Sequence, residues 1–183
     1  WKTQFIVDQL AMHPDWRICM EIEPETWDTV QIQTPEAYRQ LKNIVVSKQV
    51  EFTNPTYAQP YCYNISGESI IRQFQYGIAK INKHFPGVTF TTYSVEEPCF
   101  TSCLPQILKL FGFKYAVLKC PNTCWGGYTN AYGGELVNWV GPDGTPILTV
   151  PRYACEKLEE NSTWQTTAWG NSDAYLKDCR NAC

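Results

Sequence analysis

Charge is scarce in this chain, and what there is has no basic excess: 15 Lys and Arg stand against 18 Asp and Glu, charged residues are 18% of the total, and the net charge is -3. A nucleic-acid binder needs a basic face, so that class is set aside. No apolar run approaches the roughly 18 residues of a membrane span. Histidine is limited to His13 and His84, and the cysteines never take the C-x2-C spacing of zinc ribbons. The chain also has no initiator Met and no charged-then-apolar leader: it opens on Trp1 and closes on Cys183 within a helical pattern, which is expected of an interior segment of a longer protein. What is plentiful is apolar and aromatic surface, 44% and 14% of residues, enough to exclude disorder and to build one domain-sized core.

The nine cysteines are an odd number, recurring as C-x3-C. Several sit in apolar, strand-like runs where a thiol acts as a small hydrophobe, which favours buried thiols, with disulfides as the alternative and a metal cluster disfavoured by the spacing. The odd count points to a reducing compartment.

Helical and strand periods alternate along the chain. Phe5, Ile6 and Leu10 mark a helical stripe ending near His13-Pro14, and residues 17–22 form an apolar run of strand length. Thr34 followed by Pro35 reads as an N-cap and first helical position, with Tyr38, Leu41, Ile44 and Val45 at helical spacing behind it. A strand over 50–53 leads into a polar, aromatic loop, 54–65. Ser66-Gly67-Glu68 then opens the longest helix, whose Ile70, Ile71, Phe74, Ile78, Ile81 and Phe85 form one face until Pro86-Gly87 stops it. Residues 88–93 are β-prone, Leu104, Ile107, Leu108 and Phe111 are helical, and 114–118 is again a strand. Strand-like segments flank the turn Gly141-Pro142-Asp143-Gly144, so an antiparallel hairpin is expected at about 135–150, and a last helix from about Asp173. Four βα alternations without repeats predict an α/β fold with a largely parallel sheet covered by helices.

In such folds ligands bind outside the carboxyl ends of the strands. Glu21 and Glu23 follow the first strand, Tyr57, Gln59, Tyr61 and Glu68 the second, Glu96 and Glu97 the third, and Trp125-Gly126-Gly127-Tyr128 the fourth. One mouth lined with carboxylates, tyrosines and a tryptophan suits sugars, because aromatic faces stack on pyranose C–H groups and carboxylates hold hydroxyls or act as acid, base or nucleophile. Bland roles compete: Glu68 in a first helical turn complements the helix dipole, and Glu21 and Glu23 before Pro24 can be solvated loop charges. Trp125 beside two glycines has little packing reason to be there, which favours ligand contact. His13-Pro14-Asp15 has metal-like H-x-D spacing but lies before the first strand, at the wrong end for chemistry, and reads as a surface turn. The N-x-S/T sequons at Asn64 and Asn161 matter only in a eukaryotic secretory host.

Several stretches together resemble the N-terminal catalytic domain of glycoside hydrolase family 38, the α-mannosidases: H-P-D-W-R from His13, V-E-F from Val50 into Y-A-Q-P-Y from Tyr57, I-S-G-E-S from Ile65 with Arg72-Gln73-Phe74, L-P-Q-I-L from Leu104 with Gly112, and G-P-D-G from Gly141. The resemblance covers nearly the whole chain. It implies a partial, distorted (β/α)7 barrel, a single incomplete catalytic domain over 1–183, a bound zinc, and hydrolysis of terminal α-mannosyl or related bonds with retention through a covalent intermediate. The family's nucleophilic and zinc-ligating aspartate falls eight residues before Leu104, on Glu96, one methylene longer, with Glu97 beside it. The other zinc ligands and the general acid are implied to lie outside this segment, so the segment alone is expected to be inactive. Where bacterial relatives have Glu-Pro-Asp, this chain has Gln59-Pro60-Tyr61, replacing a charged substrate contact with neutral ones. The implied partner is a carbohydrate, which suggests export. Two rivals stay open: a non-catalytic carbohydrate-binding relative that lost the metal, and a metal-dependent deacetylase of carbohydrates.

Overall fold

The short apolar runs become strands and the longer amphipathic stripes become the helices that cover them. A computed structural model of the chain describes residues 3–95, 100–118 and 136–150. In chain order these hold α1 (Thr3–Met12), β1 (Ile18–Met20), α2 (Thr26–Gln33), α3 (Pro35–Val46), β2 (Val50–Phe52), a 3-10 turn (Cys62–Asn64), α4 (Gly67–His84), β3 (Thr92–Val95), α5 (Leu104–Leu110), β4 (Tyr115–Leu118), β5 (Val137–Val140) and β6 (Pro146–Val150).

α4 forms as its pattern dictates. Ser66 caps it, its hydroxyl oxygen accepting the Ser69 N–H at 3.2 Å, and the stripe of Ile70, Phe74 and Ile81 is buried. Gly87 at φ +85° then turns the chain away. α2 has only Trp27 and Val30 buried, too thin a stripe to stand out in the sequence. Its presence changes the role of Thr34: the hydroxyl caps nothing in α3 and instead donates back to the Val30 carbonyl at 3.1 Å, closing α2.

β1 pairs parallel with β2, matching Met20 to Phe52. The second sheet has the order β3-β4-β6-β5, parallel except for β5, which runs antiparallel to β6 through the expected hairpin. The Asp143 carboxylate holds that turn, accepting from the Thr145 N–H at 3.0 Å and its hydroxyl at 2.7 Å. The third strand forms at Thr92–Val95 and not over 88–93, because its parallel ladder with Tyr115–Leu118 sets the register, while Phe90 turns into the core against Phe113, ring centres 5.9 Å apart. Thr53 joins the two sheets, donating its N–H to the Met20 carbonyl and accepting the Ser94 N–H on its own carbonyl, both at 3.1 Å. The fold is therefore mixed α/β with parallel strands, and among the described residues the sheets do not close on each other.

The core is aromatic. Trp27, fully buried, meets Phe85 edge-on at 4.9 Å and Phe52 at 6.0 Å, while Phe74 stacks near Tyr93 at 5.9 Å. Cys62 is a buried thiol outside any disulfide, Cys103 is half-buried, and Cys19 is exposed although it lies within β1. The other six cysteines and the helix expected from Asp173 lie outside the described residues. Among the described residues no helix is long and apolar enough to cross a membrane.

Candidate functional site

The parallel strands bring the loops after β1 and β2 to one end of the domain. After β1, Glu21 and Glu23 are half-buried on either side of buried Ile22, and both are engaged by other groups.

The loop after β2 begins with Thr53, Asn54 and Thr56, all buried. The Asn54 side-chain oxygen accepts from the Thr56 N–H at 3.0 Å and its hydroxyl at 2.6 Å, a local turn that positions the chain over α4. There Pro55, Thr56 and Tyr57 lie so close to the helix that a Cβ on Gly77 would stand 2.1 Å from the Pro55 carbonyl oxygen. Gln73 clasps the loop from the helix, its backbone carbonyl accepting the Tyr57 N–H and its side-chain oxygen the Ala58 N–H, both at 3.0 Å. Two buried polar atoms here, Thr53 Oγ1 and Asn54 Nδ2, have no hydrogen-bond partner among the described residues.

That clasp decides where the predicted residues go. Tyr57 lines a groove of about 440 Å³ on the flank of α4 with Tyr76, Ala79, Lys80 and Lys83. Farther along, Gln59 takes a left-handed backbone, φ +41°, unusual for a residue with a side chain. Tyr61 follows on the exposed surface. Glu68 opens α4 and pairs with Arg72 at 2.7 Å, both exposed, which raises the Arg72 guanidinium above its ordinary value through that hydrogen bond. Glu96, Glu97, Trp125 and Tyr128 lie outside the described residues.

The sequence reading missed Gln73 and Gly77 as loop-holding residues. The available signal was a glycine on the inward face of a strongly amphipathic helix, where nothing but a close approach favours it.

Titratable groups also cluster at the far end of α4. His84, only 2% exposed, shares its Nδ1 with the Tyr38 hydroxyl at 2.8 Å and its Nε2 with an Asp28 carboxylate oxygen at 3.0 Å. Lys80 donates to the other Asp28 oxygen. Burial pushes the His84 pKa down against the opposing pull of Asp28, the Lys80 hydrogen bond holds the Asp28 carboxyl below its usual range, and burial raises the Tyr38 hydroxyl. This network ties α2, α3 and α4 together. His13 stacks on Trp16 at 4.1 Å in a surface turn, as its position before β1 implies. Among the described residues no three His, Cys, Asp or Glu side chains gather as a metal-ligand set.

A neutral, aromatic loop and half-buried carboxylates on adjacent strand ends can hold a polyhydroxylated ligand by stacking and hydroxyl hydrogen bonds. The sequence matches, over residues 4–177, the family described as Glycosyl hydrolases family 38 N-terminal domain. Alpha-mannosidase G of Dictyostelium discoideum is 30% identical over 116 residues, which are 63% of this chain and 10% of that protein. Among solved structures, an alpha-mannosidase from Enterococcus faecalis V583 superposes with a TM-score of 0.65 at 18% identity, covering 98% of this chain and 20% of that one. The 4-alpha-glucanotransferase from Thermococcus litoralis reaches the same TM-score, 0.65, at 14% identity, over 81% of this chain and 23% of that one. At such identities the likeness is one of fold, and the two structures carry different activities.

Proposed function

Because the chain belongs to glycosyl hydrolase family 38, we propose that the whole protein is an α-mannosidase-type glycoside hydrolase acting on terminal α-mannosyl or closely related glycosides with retention of configuration. The family match along nearly the whole chain carries this reading, and the Dictyostelium relative supports it. The parallel strand ends support it further, since they collect the loops that bear Glu21, Glu23, Gln59 and Tyr61, and β3 ends on Val95, the residue that precedes Glu96 in sequence. A closed barrel belongs to the same proposal.

In a retaining mechanism two carboxyl groups stand roughly 5 Å apart, one attacking the anomeric carbon and the other protonating the leaving oxygen and later activating water. We assign the attack to Glu96, with Glu97 its neighbour, and the acid to the remainder of the protein. Glu21 and Glu23 accept hydrogen bonds from sugar hydroxyls, and the neutral pair Gln59 and Tyr61 contacts the ring without charge. The described residues do not by themselves supply a zinc site. Zinc belongs to the proposal only as a cofactor of the whole protein, with Glu96 its expected ligand from this segment.

The test is an assay of the full-length protein on aryl α-mannosides, before and after chelation, with bound metal measured. Glu96→Gln is expected to lower kcat/KM by roughly a thousandfold or more. Full activity in that variant removes Glu96 as nucleophile. Activity that survives chelation in a protein free of metal removes zinc.

A further inference from the structure

Of the two N-x-S/T sequons, Asn64-Ile65-Ser66 lies among the described residues, where it joins the 3-10 turn Cys62–Asn64 to the start of α4. The backbone is extended at Ile65, φ -122° and ψ 159°, and at Ser66, φ -69° and ψ 157°. Side chains alternate along an extended chain, so residues two apart share a side. Exposure follows that alternation: Ile65 is half-buried and packs against the core, while Asn64 and Ser66 are both exposed. The carboxamide and the hydroxyl of the sequon therefore face solvent together, anchored by Ile65 between them and by buried Cys62 upstream.

Asn64 is also uncommitted. Asn54 and Asn82 spend their side chains on the local fold, the first accepting from Thr56 and the second donating to the Ile78 carbonyl at 3.1 Å. Asn64 closes its turn with the backbone N–H alone, on the Tyr61 carbonyl at 2.9 Å, and its side-chain amide has no partner among the described residues. Tyr63, Gly67, Glu68 and Ser69 around it are exposed, which leaves room for a bulky substituent. The cap of α4, the Ser69 N–H on the Ser66 hydroxyl, does not involve Asn64 and survives its modification.

We propose that Asn64 is an N-glycosylation site, its Nδ2 taking an oligosaccharide from a lipid diphosphate donor in a secretory pathway. In the transfer Nδ2 gives up a proton and bonds to the anomeric carbon, the bond from that carbon to the diphosphate oxygen breaks, and the lipid diphosphate leaves. The glycan keeps the turn and Tyr63 at the solvent surface of the whole protein, and it places the protein in an exported rather than a reducing compartment. The inference does not depend on the hydrolase reading.

Glycopeptide mass spectrometry of the full-length protein isolated from its own source tests it, with Asn161 read from a separate peptide. The Asn64 peptide is expected to carry a glycan in most molecules, and an amidase specific for N-glycans is expected to release it without denaturant. In a eukaryotic secretory host, Ser66→Thr is expected to keep the glycan, and Ser66→Asp, which preserves a helix cap but removes the sequon hydroxyl, is expected to lose it from a folded protein. Asn64→Gln is expected to lose it as well. An unmodified Asn64 in the source protein overturns the site, as does a glycan that persists in Ser66→Asp. A glycan released only after denaturation overturns the open face.

Discussion

The two ends of α4 solve opposite problems. At the His84 end, the buried imidazole, the Tyr38 hydroxyl, Asp28 and Lys80 satisfy one another across three helices. At the Ser66 end, the adjoining loop leaves Thr53 Oγ1 and Asn54 Nδ2 buried without partners among the described residues, holds Gln59 in a left-handed backbone and exposes part of Tyr61 and Tyr63. An orphaned buried polar group costs roughly 1–3 kcal/mol. One end therefore carries stability, and the other is less completely satisfied. Trp27 is the exception at the stable end: its Nε1 is also unpartnered, and nothing in the structure accounts for that.

The sharpest way to break this contrast is at the stable end. Trp27 is fully buried between Phe52 and Phe85, so Trp27→Ala is expected to cost about 3–5 kcal/mol, read as a lower midpoint in denaturant unfolding of the full-length protein, with sugar binding by the folded fraction unchanged. His84→Ala comes next, at about 2 kcal/mol, since it empties a buried ring position and leaves the Tyr38 hydroxyl only the long contact to the residue 84 carbonyl, 3.5 Å. It also carries a pH signature. Burial holds the His84 pKa in the folded protein below its ordinary 6.5, so the unfolded chain takes up the proton first and stability falls as pH drops below that value. Asp28, lowered from 3.8, adds its own loss only in more acidic solution. Melting temperatures between pH 7.5 and 5.5 should slope downward in the wild type and flatten in His84→Ala. An unchanged slope would show that the imidazole is not held neutral.

The smallest effect belongs to the opposite end. Gln59→Gly removes the penalty of a left-handed backbone at a residue with a side chain but also gives up contacts that Gln59 makes, so the stability read from the midpoint of denaturant unfolding should move by no more than about 1 kcal/mol in either direction. A loss well beyond that would mean that the contacts of Gln59 outweigh its backbone strain and that the contrast between the two ends is overstated.

Local patterns made much of this legible. α4 announces itself through its stripe, its Ser66 cap and its Pro-Gly stop, and the late hairpin through Gly141-Pro142-Asp143-Gly144, because every contact needed lies within a few residues. α2 escaped because only two of its residues are buried and the larger, Trp27, packs on Phe52 and Phe85, far off in sequence. The same limit applies to the site. The strand-end rule places Glu21 and Glu23 after β1 and Tyr61 after β2, yet it says nothing of Gln73 and Gly77, which reach back 15 residues or more to hold Tyr57 against the flank of α4. The His84 network draws on positions 28, 38, 80 and 84, a spacing with no period to detect.

Thr53 has one more consequence. Its two backbone hydrogen bonds hold Met20, Thr53 and Ser94 side by side, so the chain leaves β1, β2 and β3 from a common height. Lengthening or shortening any one of the three loops then alters how far it reaches over its neighbours without sliding the strands past one another. A sheet levelled in this way can accept new loops as interchangeable parts, and recognition can drift while the frame beneath stays still.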